Sequence, residues 1–123
     1  MDEERLMDIE AALWRLGGDR SLLGDVIQFY MEDAPGLLDQ VRRGVESRSA
    51  QEIERAAHSL KGLSASFSAD RAVNAARRLE TIGRTNDLAT APDACKTLEI
   101  EVTALMNALR ELQKSDSTDG NGR

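Results

Sequence analysis

One residue in this chain has the chemistry to carry a labile group. His58 is the only histidine among 123 residues. Imidazole is largely neutral near pH 7, nucleophilic at nitrogen, and leaves readily from phosphorus. Lys61 supplies a cation at i+3, and Gly62 leaves an open place at i+4. On a helix, at about 100° per residue, Ile53, Ala56, Ala57, Leu60, Leu63, Ser64 and Phe67 fall within about 60° of Leu60 and form one inward stripe. His58 falls roughly 160° away and faces solvent. Its neighbours there are Glu54, Lys61, Gly62 and Ala65. Glycine inside a helix costs about 0.5–1 kcal/mol relative to alanine, and close approach of another surface beside His58 is a use that offsets it. A solvent-facing histidine is ordinarily a plain polar surface residue, so periodicity alone leaves both readings open.

Other chemistries lack the residues they need. Ser59 and Ser64 have no second histidine or base constellation to activate them. One histidine and one cysteine, Cys95, are too few for a nitrogen- or sulfur-rich metal site. Glu-x-x-His does not recur as a carboxylate-bridged metal bundle requires, and no glycine loop for nucleotide phosphates occurs. The inventory therefore offers no metal site. A formal net charge of −6 and a pI near 4.8 argue against a nucleic-acid binder. No apolar run approaches the ~20 residues that span a membrane. A single cysteine fits a reducing compartment, so a cytoplasmic domain is expected.

The elements that must hold His58 read as helices with short joints. Aromatics make up only 3% of the chain, and Ala, Leu, Arg and Glu dominate, which favours helix over strand. Leu6, Ile9, Leu13 and Leu16 predict a short helix that Gly17-Gly18 stops. Asp19 or Ser21 can cap the next, spanning about 19–46, which Pro35 breaks, kinks or restarts. Ser49-x-x-Glu52 is a capping box for a helix over 50–67. Asp70 caps a helix over 70–84, with Val73, Ala76, Leu79 and Ile82 inward and Gly83 to Asp87 weakening its end. Pro92 opens a last helix over 92–114. The expectation is an all-α fold: an antiparallel up-down four-helix bundle with one or two short additional N-terminal helices. Residues 1–114 would form the domain and 115–123, with nothing apolar, a disordered tail.

Ala57-His58-Ser59-Leu60-Lys61-Gly62, followed by Ser64, Phe67 and Ala69 and then Leu79-Glu80, resembles the histidine-containing phosphotransfer (HPt) domain of bacterial phosphorelays. Leu16-Gly17-Gly18-Asp19, Phe29-Tyr30 and Glu32-Asp33-Ala34-Pro35 are similar to the first half of such domains, so the resemblance covers about residues 8–112. It implies that His58 is the phospho-acceptor, usually on Nε2, with Lys61 offering a cation to the phosphoryl oxygens rather than serving as a plain surface lysine. Gly62 would keep the surface flat for a partner, with Ala65 and Ser66 extending the low rim. Ser64, on the inward stripe, reads as a packing residue bonding back along its own helix.

Glu80 corresponds to a glutamate that, in kinase-associated members, accepts a hydrogen bond from Nδ1. The alternative is an exposed helix glutamate beside Arg77 and Arg84. The implied partners are response-regulator receiver domains and a sensor histidine kinase, with the Mg²⁺ used in transfer belonging to the receiver. By the same resemblance the domain would need no cofactor of its own, and it would be a monomeric carrier without its own ATP site. Two further readings stand beside it: the phospho-accepting domain of a chemotaxis-type or hybrid histidine kinase, and a non-catalytic helical adaptor. The chain departs from the pattern at Ser68-Ala69, where glycine usually precedes the alanine, and at Leu63, where a small residue is common.

Overall fold

The structure, a computed structural model, describes residues 4–121. Five α-helices make up the fold: α1 (Ile9–Arg15), α2 (Arg20–Ser47), α3 (Ala50–Ala65), α4 (Asp70–Thr85) and α5 (Ala91–Asn121). One 3₁₀ turn, Leu88–Thr90, joins α4 to α5, and no strand occurs among the described residues. Helix α2 packs on α3 and α5, and α4 packs on α3 and α5. The four long helices thus close a bundle with α3, the histidine helix, between α2 and α4. This is the expected four-helix architecture, with one short N-terminal helix rather than two.

The joints follow from local chemistry. Gly17 and Gly18 turn the chain after α1 at φ +70° and +79°, a region open to glycine at no steric cost. Asp19 then caps α2, its carboxylate accepting from the Leu22 amide at 3.0 Å. Ser49 caps α3 by accepting from the Glu52 amide at 3.3 Å. The reciprocal half of the box is not made, because the Ser49 amide donates to the Gly44 carbonyl instead.

Three expectations are corrected. Pro35 does not interrupt α2, which runs unbroken over 28 residues. The proline is exposed, so water can take the carbonyl left without a donor, and burial of Tyr30, Leu38 and Val41 on the core-facing side holds the helix through it. Asp70 does not cap α4. Ala69 occupies the cap position with no side-chain bond, while Asp70 accepts from the Arg5 amide and ties down the N-terminal segment. Gly83 is not a weak helix end but a buried crossing point. A Cβ there would lie 2.6 Å from the Ala50 carbonyl oxygen and 2.8 Å from Glu54 Cβ, so α3 and α4 approach closely because the side chain is missing. Helix α5 runs to Asn121. Residues 122 and 123 lie outside the described residues.

The core is mostly aliphatic, with Tyr30 and Phe67 as its largest fully buried side chains. Ile53, Ala56, Ala57 and Leu60 of α3 are buried against Leu79 of α4, Leu98, Val102 and Leu105 of α5, and Val41 of α2. Each large side chain so buried contributes about 1.5–3 kcal/mol, which fixes the roll of α3 and hence the direction in which His58 points.

Candidate functional site

Because the apolar stripe of α3 faces the core, His58 emerges on the opposite side with its side chain 68% exposed. Behind it stands Glu80 of α4, only 10% exposed, with Oε2 2.5 Å from His58 Nδ1. The other carboxylate oxygen, Oε1, accepts from Lys61 Nζ at 2.6 Å. The hydrogen bond from Lys61 and that with His58 together hold the Glu80 carboxyl below its ordinary range, with burial acting in the opposite direction. Glu80 is therefore an anion at neutral pH and can only accept. The proton between the two residues must then sit on Nδ1, which leaves the Nε2 lone pair of the neutral ring directed outward.

The sequence left two readings of Glu80, and the geometry separates them. Arg77 and Arg84 turn away from it, donating to Asn74 Oδ1 at 2.6 Å and Thr81 Oγ1 at 3.3 Å. Lys61 gains a partner that periodicity did not suggest, since its ammonium is anchored on Glu80. His58, Lys61 and Glu80 thus form one connected group across α3 and α4.

On its other side His58 opens onto a groove between α2 and α3. Glu32, Asp33, Gly36, Leu37 and Gln40 line one wall, with Ser59, Gly62 and Leu63 beside the histidine on the other. A Cβ added at Gly62 would meet nothing within 4 Å, so the surface beside the ring is low and open. Ala65 and Ser66 are exposed one turn further on but do not line the groove. Their carbonyls accept from Arg15 Nη2 of α1 at 3.3 and 3.1 Å.

Arg15 was not legible as a site neighbour, because nothing in a short helix signals what its last arginine reaches. The same guanidinium donates to Ser68 Oγ at 3.0 Å. Ser68 occupies the left-handed region at φ +51°, the position where glycine was expected, and the Arg15 contact helps hold it there. Ser64 is buried as expected but does not bond back along its helix. Its hydroxyl shares a 3.0 Å hydrogen bond with Tyr30 Oη of α2. Burial pushes the Tyr30 phenol up to about 12, the Ser64 hydrogen bond offsetting part of the rise, and its ring meets Phe67 edge-on at 5.5 Å.

Among the described residues no group of three His, Cys, Asp or Glu side chains is placed to hold a metal ion, and no helix is long and apolar enough to cross a membrane.

An antiparallel helical bundle that projects one histidine, backed by a buried carboxylate, from the middle of an inner helix has the form of a phosphotransfer domain. The family model described as Hpt domain matches residues 25–111, and the chain belongs to that family. Its fold is similar to the crystal structure of histidine-containing phosphotransfer protein B (HptB) from Pseudomonas aeruginosa PAO1, with a TM-score of 0.83 at 18% sequence identity, covering 92% of this chain and 98% of that one. Among curated proteins none matches the sequence.

Proposed function

We propose that this histidine phosphocarrier domain takes and releases its phosphoryl group at His58 Nε2. The observation that carries the assignment is the 2.5 Å contact between Nδ1 and the anionic Glu80. In the forward step the Nε2 lone pair attacks phosphorus of an acyl or histidyl phosphate. A P–N bond forms while the bond to the donor's leaving group breaks, and the electron pair leaves with the donor. The ring, still protonated at Nδ1, becomes cationic, and Glu80 stabilises that charge through the same hydrogen bond. Transfer to a receiver aspartate reverses these events, with the carboxylate oxygen attacking phosphorus and imidazole leaving. Lys61 holds Glu80 from the other side and has two further N–H donors for phosphoryl oxygens.

Gly62, with Ala65 and Ser66 beyond it, is the proposed partner-facing surface. Residues 1–114 are the proposed working unit, a monomer in a reducing cytoplasm without its own ATP site, served by a sensor histidine kinase and a receiver domain. A second reading, the phospho-accepting domain of a chemotaxis-type or hybrid kinase, is favoured by the Glu80–His58 pair. The test is incubation with phosphoramidate, read by intact mass and acid lability. Wild type should gain one acid-labile phosphoryl group and His58→Gln none. A folded wild type that gains none contradicts the proposal.

A further inference from the structure

The two walls beside His58 differ in charge. On the α4 side Lys61 and Glu80 neutralise each other. On the α2 side Glu32 and Asp33 enter the groove, and no lysine or arginine lines it. Glu32 accepts only the neutral amide of Gln28 at 2.9 Å. Asp33 has no ion pair among the described residues. Both are exposed, so the fold gains little from them. One turn earlier on the same helix, Phe29 is 58% exposed, an apolar side chain outside the groove next to the acidic pair.

This wall acts against the reaction's own cargo. A phosphoryl group approaching Nε2 through the groove is anionic, and it meets two uncompensated carboxylates on a protein whose net charge is already −6. Within about 10 Å at ordinary ionic strength such charges are felt. The arrangement suits the chemistry when the donor or acceptor brings its own cations to the α2 side.

We propose that Glu32 and Asp33 are specificity-determining residues that seat a basic rim of the receiver partner across the groove and repel small anionic phosphodonors. The receiver would place lysine or arginine over this pair and an apolar contact on Phe29, with its aspartate at His58. The inference rests on the carrier reading of His58 and adds which side of the histidine recognises the partner, and by what charge.

The test compares wild type, Glu32→Gln/Asp33→Asn, and a control of equal charge change, Glu46→Gln/Asp93→Asn, which lies outside the groove. Two rates are read at low and high salt. One is labelling by phosphoramidate. The other is transfer from phosphorylated His58 to the fastest acceptor found among purified receiver domains. The groove variant should take phosphate from phosphoramidate roughly three to ten times faster than wild type at low salt, and pass it to the receiver roughly tenfold more slowly, both differences shrinking as salt rises. The control should match wild type. Labelled wild type with no acceleration, no slowing, or the same changes in the control overturns the filter alone. A wild type that takes no phosphate overturns the carrier reading and the filter with it.

Discussion

Two of the polar links that helix α3 makes to its neighbours differ in one physical respect. Ser64 bonds Tyr30 of α2 where no solvent reaches. His58 bonds Glu80 of α4 at the surface, with the ring two-thirds exposed. The inner link joins two neutral hydroxyls, and burial moves the phenol's titration far from neutral pH, so it can only position helices. The outer link joins an anion to a ring with a second, free nitrogen. Similar hydrogen bonding ties helices together near the end of α3 and leaves a ring nitrogen facing outward at its middle, and exposure decides which. Two glycines repeat the contrast. Gly83 is filled against by α3, while Gly62 faces open space.

Neutralising Glu80 breaks the contrast most severely. Glu80→Gln removes the anion that holds Nδ1–H, and phosphoramidate labelling should slow roughly 10–100-fold, with far-UV circular dichroism unchanged. An unchanged rate would reduce Glu80 to a surface partner of Lys61. Among the glycines, Gly83→Ala should lower stability in urea by about 2 kcal/mol, because the added methyl meets backbone of α3. Gly62→Ala should instead raise it by up to about 1 kcal/mol from helix propensity, whereas Gly62→Leu should keep the fold and slow transfer to a receiver. Equal effects at the two glycines would contradict the packing described.

Tyr30→Phe leaves the Ser64 hydroxyl without its partner and should cost about 1–2 kcal/mol, with labelling of His58 unaffected. Loss of labelling in a folded Tyr30→Phe protein would show that the two links are coupled. The smallest effect concerns Ser68, where glycine relieves the left-handed conformation at the expense of one Arg15 hydrogen bond. Ser68→Gly should stabilise by about 0.5–1 kcal/mol, read as a higher urea midpoint.

The pH dependence has a definite sign. Glu80 has its folded pKa lowered, so its contribution is fully present above the unfolded carboxylate value and is lost as pH falls through the folded one. Acid titration of wild type should show this loss, and Glu80→Gln should flatten it.

How much was visible in advance depended on the range of each interaction. The inward stripe of α3 and the outward direction of His58 follow from spacing within one helix, and the structure keeps both. Contacts that cross between helices did not show in the pattern. Ser64 meets Tyr30 across 34 positions and Arg15 reaches Ser68 across 53, and no local periodicity encodes either pairing. Gly83 looked like a helix breaker because a missing side chain reads as weakness until the partner that fills its place is known. Pro35 looked like a break because local backbone preference was weighed without the buried face that holds α2 together. The Glu80 contact, 22 residues from His58, was within reach only through family resemblance, since periodicity permitted a surface ion pair equally well.

The central claim is that Glu80 keeps the proton on Nδ1 and leaves Nε2 to take phosphate. Long-range ¹H–¹⁵N correlation spectra of the ¹⁵N-labelled protein, before and after phosphoramidate, read both nitrogens directly. The account predicts a protonated Nδ1 and a bare Nε2 in the free protein, and a phosphorus-bound Nε2 after labelling. A free ring protonated on Nε2, or phosphate found on Nδ1, would contradict it.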